Sequence, residues 1–176
     1  VPAAIFIYAD NKFIYGNEYS QKITGYDVKD MIGKNFWEIV HPDYRDIALE
    51  RGAARLKGED VEARYELKII DKYGNERWLD YNGTSIIFQG KPAVLGIAYD
   101  ITELKRTQNA LIESELKYRT LIENMSEVIL YVDNNDRIIF VNDNAIEMFG
   151  YTKSELIGVI ANELLVDEEF RDFIKE

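Results

Sequence analysis

The chain has 176 residues, one histidine (His41) and no cysteine. Without cysteine there are no disulfides, no thiolate metal sites and no thiol nucleophile. A lone histidine leaves no transition-metal ligand set and no partner for a serine base. There is no glycine-rich phosphate loop and no Gly-x-Ser-x-Gly elbow. Asp133-Asn134-Asn135-Asp136 lines up oxygen ligands but lacks the glycine and distal glutamate of a calcium loop. It is read as a hairpin turn. Paired carboxylates are plentiful, but at a net charge of −11 they carry no information. No catalytic constellation and no metal site is expected, so the segment is read as regulatory. The chemistry that remains is non-covalent recognition by apolar side chains and tyrosine hydroxyls.

The elements that would position such groups show a repeat. Ile5-Phe6-Ile7-Tyr8 and Phe13-Ile14-Tyr15 flank a polar turn, and Val128 to Val132 and Ile138 to Val141 do the same. β-branched and aromatic runs around Asp/Asn turns predict strand pairs. Asn17 and Asn142 follow each pair as helix N-caps. Gly25 and Gly150 suit the left-handed position past a helix. Thr152-x-x-Glu155 is a capping box and Asp27-x-x-Asp30 a weaker form of it; Gly33 and Gly158 stop the short helices that follow. The same run at matched offsets indicates duplication.

Asp43 is expected to cap a helix over about Tyr44 to Leu56. Three strands should follow. Val61 to Asp71 alternates Ala63, Tyr65, Leu67 and Ile69 against Glu62, Arg64, Glu66 and Lys68, the pattern of a sheet with one wet face. Glu76 to Phe88 and Pro92 to Tyr99 follow, joined by Gln89-Gly90-Lys91. Asp100 to about Met125 is helical by pattern. Leu104, Leu111, Tyr118 and Met125 recur at heptad spacing, with Leu121 beside them and Thr107 and Ser114 interrupting. This helix is either a parallel coiled coil or a connector packed on its own domain.

The repeat resembles the PAS domain family. In the first copy the resemblance runs from Ile5 to Thr102 and includes the exit signature Asp100-Ile101-Thr102-Glu103; in the second it runs from about Val128 to Ile174. It implies an α+β fold, a five-stranded antiparallel sheet with short helices on one face, then a connecting helix and the first half of a second domain. The expected divisions are 1–101, 102–125 and 126–176. The second copy stops before its last three strands, so either the parent chain continues or another subunit completes it.

The resemblance also assigns residues. Flavin-binding members carry Gly-x-Asn-Cys where this chain has Gly33-Lys34-Asn35-Phe36, which excludes adduct chemistry. The flavin-amide positions are Ile69, Leu79 and Ala98 here. The axial histidine of haem members falls near Ala48, and His41 precedes the helix in a capping or packing role, so haem is not expected. The cofactor is unknown. The implied pocket walls are Phe36, Val40, Tyr65, Leu67, Ile69, Leu79, Tyr81, Gly96 and Ala98, with Gly96 and Ala98 leaving room for a guest. Whether these residues enclose a ligand or fill a core stays open. With no cationic side chain expected to face inward, any ligand should be small and largely uncharged. Trp78 lies on the opposite strand face. Trp78, Asp80, Tyr99, Leu104, Leu111 and Tyr118 are interface candidates for a homodimer.

The implied function is sensing and relay within a larger signalling protein, a sensor histidine kinase, with Asp100 and Thr102 at the hinge into the connecting helix. The alternatives are a ligand-free dimerising spacer and the input segment of a diguanylate cyclase. The acidity argues against nucleic acid and anionic membranes. No apolar run approaches the roughly 18 residues of a membrane span. A cytoplasmic location is expected, with a membrane anchor elsewhere in a longer parent left open.

Overall fold

The computed structural model describes residues 2–164. Contacts divide the chain into two compact units, Val1–Gln108 and Asn109–Glu176.

The first unit is built on an antiparallel sheet. Its strands are β1 (Ala4–Ala9), β2 (Lys12–Gly16), β3 (Arg64–Ile70), β4 (Glu76–Phe88) and β5 (Lys91–Asp100), in spatial order β2-β1-β5-β4-β3. Two-residue loops close two of the hairpins. Asp10-Asn11 (φ 49° and 64°) and Gln89-Gly90 (φ 49° and 77°) hold both central residues left-handed. A tight hairpin turn matching the right-handed strand twist needs that conformation. The β3–β4 turn is held instead by Asp71, whose Oδ1 accepts from the backbone N–H of Tyr73 and of Asn75, both at 2.9 Å.

Between β2 and β3 run α1 (Glu18–Thr24), α2 (Val28–Met31), a 3-10 turn (Phe36–Glu38) and α3 (Pro42–Leu56). The Asn17 side chain does more than cap α1. Its Oδ1 accepts from Ser20 N–H and from Ile5 N–H, and its Nδ2 donates to the Ala3 carbonyl. One amide thus ties the start of β1 to the start of α1. Gly25, at φ 72°, ends that helix as expected. The α3 cap differs from the sequence expectation. His41 is the N-cap, its Nδ1 accepting from Asp43 N–H, and Pro42 takes the first helical turn. Proline fits there because its missing N–H has no helical partner to lose.

The helices cover one face of the sheet and bury two adjoining clusters. Tyr8, Phe13, Met31, Phe36, Ile39, Val40, Ala48 and Val94 form one. Ala4, Ile23, Leu67, Ile69, Leu79, Tyr81 and Ala98 form the other, with Phe6 and Tyr44 packed against both. α3 approaches closely at Gly52, where an added methyl carbon would lie 3.2 Å from both the Phe36 ring and the Tyr8 hydroxyl.

α4 runs from Thr102 to Glu123 and none of its residues is buried. The second unit then repeats the opening of the first, with β6 (Leu130–Val132), β7 (Ile138–Val141), α5 (Asp143–Phe149), α6 (Lys153–Leu156) and α7 (Ala161–Leu164). Asn142 plays the part of Asn17, accepting from Ile129 N–H and Ala145 N–H. The capping box of Thr152 and Glu155 is formed. Ile138, Val141, Ala145 and Leu156 make a small core. The stretch expected to lead into the second copy's long helix lies outside the described residues.

Candidate functional site

Strand alternation puts Tyr65, Leu67 and Ile69 of β3, Leu79 and Tyr81 of β4 and Ala98 of β5 on the helix-covered face. Together with Phe36, Val40 and Ala48 they line a cavity of about 50 Å³. That is room for a few waters or a compact organic fragment, since one water needs roughly 10–15 Å³ by this measure. Every pocket residue expected from sequence borders the cavity except Gly96. Gly96 does not leave room for a guest: the rings of Phe6 and Tyr81 already occupy the space a side chain would take there. Phe6, Tyr8, Phe13, Ile23 and Met31 also border the cavity and were not anticipated. Phe6 stacks on Tyr81 at 6.0 Å and Tyr8 on Phe36 at 4.4 Å. These residues sit on β1, β2, α1 and α2, so their inward position follows from how the helices fold over the sheet.

The hydroxyls of Tyr8, Tyr65 and Tyr81 lie close together, and burial pushes all three above the ordinary phenol range. For Tyr8 and Tyr65 the Arg55 charge opposes that rise. Tyr81 is shifted furthest, the neighbouring Tyr8 adding to the effect of burial. The tyrosines therefore stay neutral at physiological pH and keep protons to donate. The Tyr81 hydroxyl is buried beside that of Tyr8.

One buried cation lies behind the cavity wall, not on it. Arg55 on α3 is only 3% exposed. Its Nε donates to the Gly83 carbonyl at 3.1 Å, and its Nη2 to those of Glu62 (2.6 Å) and Ala63 (3.3 Å). Its guanidinium carbon lies 5.6 Å from the Tyr81 ring centre and 5.7 Å from that of Tyr65. The sequence did carry a signal. Arg55 falls on the same α3 face as Gly52 and Ala48, one and two turns earlier, and that spacing places it against the sheet. Arg55 is not among the residues that line the cavity, and none of the lining residues is cationic.

His41 stands outside the cavity. It caps α3 and its Nε2 lies 3.3 Å from a Glu76 carboxylate oxygen. Ala48, at the haem-ligand position, is a buried wall residue. Asp133 forms the expected turn, accepting from Asn135 N–H and Arg137 N–H. Among the described residues no group of His, Asp and Glu side chains can hold a metal ion.

Where the sheet meets α4, side chains replace a strand. The β4–β5 ladder runs to Leu79 opposite Asp100. One step further, Ile101 N–H donates to the Trp78 carbonyl and Trp78 N–H donates to Thr102 Oγ1, both at 2.9 Å. Thr102 thus stands in for the next rung of the ladder. Asp100 Oδ1 accepts from Thr102 N–H, and its Oδ2 takes a 3.0 Å bond from Arg77 Nη1. Arg77 also reaches Asp71 at 3.2 Å, joining the β3–β4 turn to the α4 entry. Arg77 was not singled out from sequence. For Asp71, burial favours the neutral form, but hydrogen bonds from Asn75, Tyr73 and Arg77 outweigh it and hold the carboxyl below its ordinary value.

The outer-face residues fare differently. Trp78 is partly covered, with Lys68 and Lys105 over its ring at 5.3 and 5.4 Å and Tyr44 edge-on at 5.8 Å. Asp80 is paired with Arg64 at 2.6 Å. Tyr99 is 38% exposed, and Leu104, Leu111 and Tyr118 lie open along α4 at 55%, 60% and 64%.

Known proteins agree with this architecture. Residues 2–103 match the PAS domain family model, and residues 116–176 match a second PAS domain model. Sporulation kinase A of Bacillus subtilis is 28% identical over 161 residues, 90% of this chain and 26% of its own length. The two-component sensor PprA of Pseudomonas aeruginosa is 28% identical over 156 residues, 87% of this chain and 17% of that protein. The chain thus spans about a quarter or less of these relatives. The crystal structure of a sensory box histidine kinase/response regulator from Burkholderia thailandensis superposes with a TM-score of 0.50 at 25% identity, covering 67% of this chain and 91% of that one. Sheet order, helix placement and sequence matches converge, and the chain belongs to the PAS domain family, with one complete copy and part of a second.

Proposed function

We propose that the first unit is the sensory input of a larger signalling protein, a sensor histidine kinase, and that it reports occupancy of its core cavity through α4. The observation that carries this reading is the direct bond between Trp78 N–H and Thr102 Oγ1. Leu79 and Tyr81 line the cavity, and Trp78 is the next residue along the same strand. A change in what presses on Leu79 therefore reaches the first turn of α4 through one peptide unit. The relatives support the reading, since sporulation kinase A and PprA both signal. In this proposal the segment is regulatory, and any kinase chemistry belongs to the rest of the parent protein.

The open apolar seam of α4 supports pairing with a second copy of this chain as a coiled coil. Leu104, Leu111, Tyr118 and Leu121 are each at least half exposed. Such a seam is ordinarily covered in a parallel dimer. The same seam also suits a ligand-free dimerising spacer. Native mass spectrometry of the 176-residue chain separates the two readings. An adduct that survives gentle desolvation and is lost on denaturation supports sensing. A bare dimer, with the cavity unoccupied, supports the spacer.

A further inference from the structure

The core cavity is polar by residue type and apolar by atom. Five of its wall residues carry hydroxyls: Tyr8, Ser20, Thr24, Tyr65 and Tyr81. None of the five offers its hydroxyl to a guest. Ser20 Oγ donates to the Asn17 carbonyl at 2.6 Å and Thr24 Oγ1 to the Ser20 carbonyl at 2.8 Å, so both protons are spent on the backbone of α1. The Tyr81 hydroxyl fills the space that a side chain on Gly83 would take, and the Tyr8 hydroxyl lies 3.2 Å from where one on Gly52 would begin. The Tyr65 hydroxyl faces Arg55. Gly52, Gly83 and Arg55 all lie off the wall. The tyrosines therefore show the cavity their rings and keep their oxygens behind it. The strand residues of the wall have their backbone groups paired in the ladders of the sheet. A buried water needs about two to four polar partners, and this wall leaves it none.

We propose that the cavity takes a neutral, apolar molecule with no hydrogen-bonding group, the size of a short hydrocarbon, seated among Phe6, Ile23, Leu67 and Leu79. This deepens the sensory reading and rests on it. The chemical class follows from the wall: a polar or charged group on the guest would give up water and find no partner in exchange. The size follows from the volume. A cavity of about 50 Å³ has the room of roughly three to five waters, which is that of a chain of roughly three to five carbons. A dry apolar cavity holds benzene at roughly 150 Å³, about three times this volume. A guest of this kind reaches the output by the route already described: Leu79 borders it, and the neighbouring Trp78 bonds Thr102.

The test equilibrates the 176-residue chain under pressure with ethane, propane, n-butane and dimethyl ether, which is propane with its central methylene exchanged for oxygen. Methyl NMR signals of Ile23, Leu67, Ile69 and Leu79 read the cavity, and the Trp78 amide signal reads the relay. Propane is expected to shift the four sets of methyl signals saturably and to bind about tenfold or more tighter than dimethyl ether. Affinity should rise about fourfold for each methylene added to ethane until the cavity is full. Ala98→Val pushes a larger side chain out of the wall and should weaken propane at least fivefold. The comparison of propane with the ether, made on the unaltered chain, decides the matter if that variant fails to fold. Equal or tighter binding of the ether, or undiminished propane binding in a folded Ala98→Val, overturns the inference and leaves the sensory reading standing. Failure of every alkane, with an adduct still retained in native mass spectrometry, does the same. Methyl shifts with an unmoved Trp78 amide uphold the apolar guest and defeat the sensory reading. Failure of every probe with no adduct overturns both together.

Discussion

Replacing Thr102 with valine keeps the side-chain shape and removes the oxygen that accepts from Trp78 N–H. β5 has ended at this point, so no backbone carbonyl stands by to take the bond. Trp78 is only partly exposed, beneath Lys68, Lys105 and Tyr44, and water reaches its amide poorly. Leaving such a donor unpaired costs about 1–3 kcal/mol. In amide exchange this is roughly a five- to hundredfold rise in local opening. The Trp78 amide of Thr102→Val is therefore expected to exchange faster by that factor, and the amides of the first turn of α4 to follow. Leu79 and Tyr81 also face the cavity from β4, but their pairing to β5 and β3 does not involve Thr102. Their amides should keep their protection, and the melting temperature should fall by only a few degrees. Unchanged exchange at Trp78 would show that Thr102 does not hold the α4 entry. Uniform loss of protection along β4 would show that it supports the whole sheet, and either result refutes the hinge.

Gly52→Ala places a methyl carbon 3.2 Å from the Phe36 ring and the Tyr8 hydroxyl, and chemical denaturation should show a loss of about 1–3 kcal/mol. The lowered carboxyl of Asp71 stabilises the fold above its ordinary value of 3.8, and that contribution is lost as pH falls through the lower folded value. Asp71→Asn should accordingly lower stability near pH 7 and flatten the acid side of the stability–pH curve, as read by thermal melts. Leu111→Asp puts a charge in the open α4 seam, and sedimentation should show the dimer constant weakened by about tenfold or more with the circular dichroism of the sheet unchanged. A monomeric wild-type chain at high concentration would remove the basis of that last prediction.

The strands and turns were legible because their information is local. The alternation Tyr65, Leu67, Ile69 against Arg64, Glu66, Lys68 sets the faces of β3 whatever packs on them. The paired motifs around Asn17 and Asn142 gave both caps and the duplication. What the sequence hid was joint use. Asn17 reads as a cap, and only the fold shows that the same amide also pins the start of β1. Asp43 and His41 both suit a cap, and Pro42 decides between them by taking the first helical turn. Gly96 reads as free space because its own side chain is absent, but a neighbouring strand fills that space with Phe6. Arg55 was missed because a charged residue on a helix is ordinarily solvated, and the small neighbours Ala48 and Gly52 that bring its face onto the sheet look unremarkable one at a time.

Arg55 and Arg77 place opposite demands on the same strand. Arg55 bonds the Gly83 carbonyl at one end of the cavity face of β4 and stands against the Tyr81 ring. Arg77 anchors the other end to Asp71 and Asp100, its single charge answered by two carboxylates. Between them lie Trp78, Leu79 and Tyr81. With both ends held, the strand could respond to a change in the cavity only between these anchors, at the segment that bonds Thr102. Breaking the fixed anchor should therefore blunt the response without touching the cavity. Arg77→Met is expected to leave the cavity intact, because Arg77 lies off the cavity wall. It should abolish the ligand-dependent change in exchange at the Trp78 amide. A ligand-dependent change that survives in Arg77→Met would place the relay elsewhere than the β4–α4 junction.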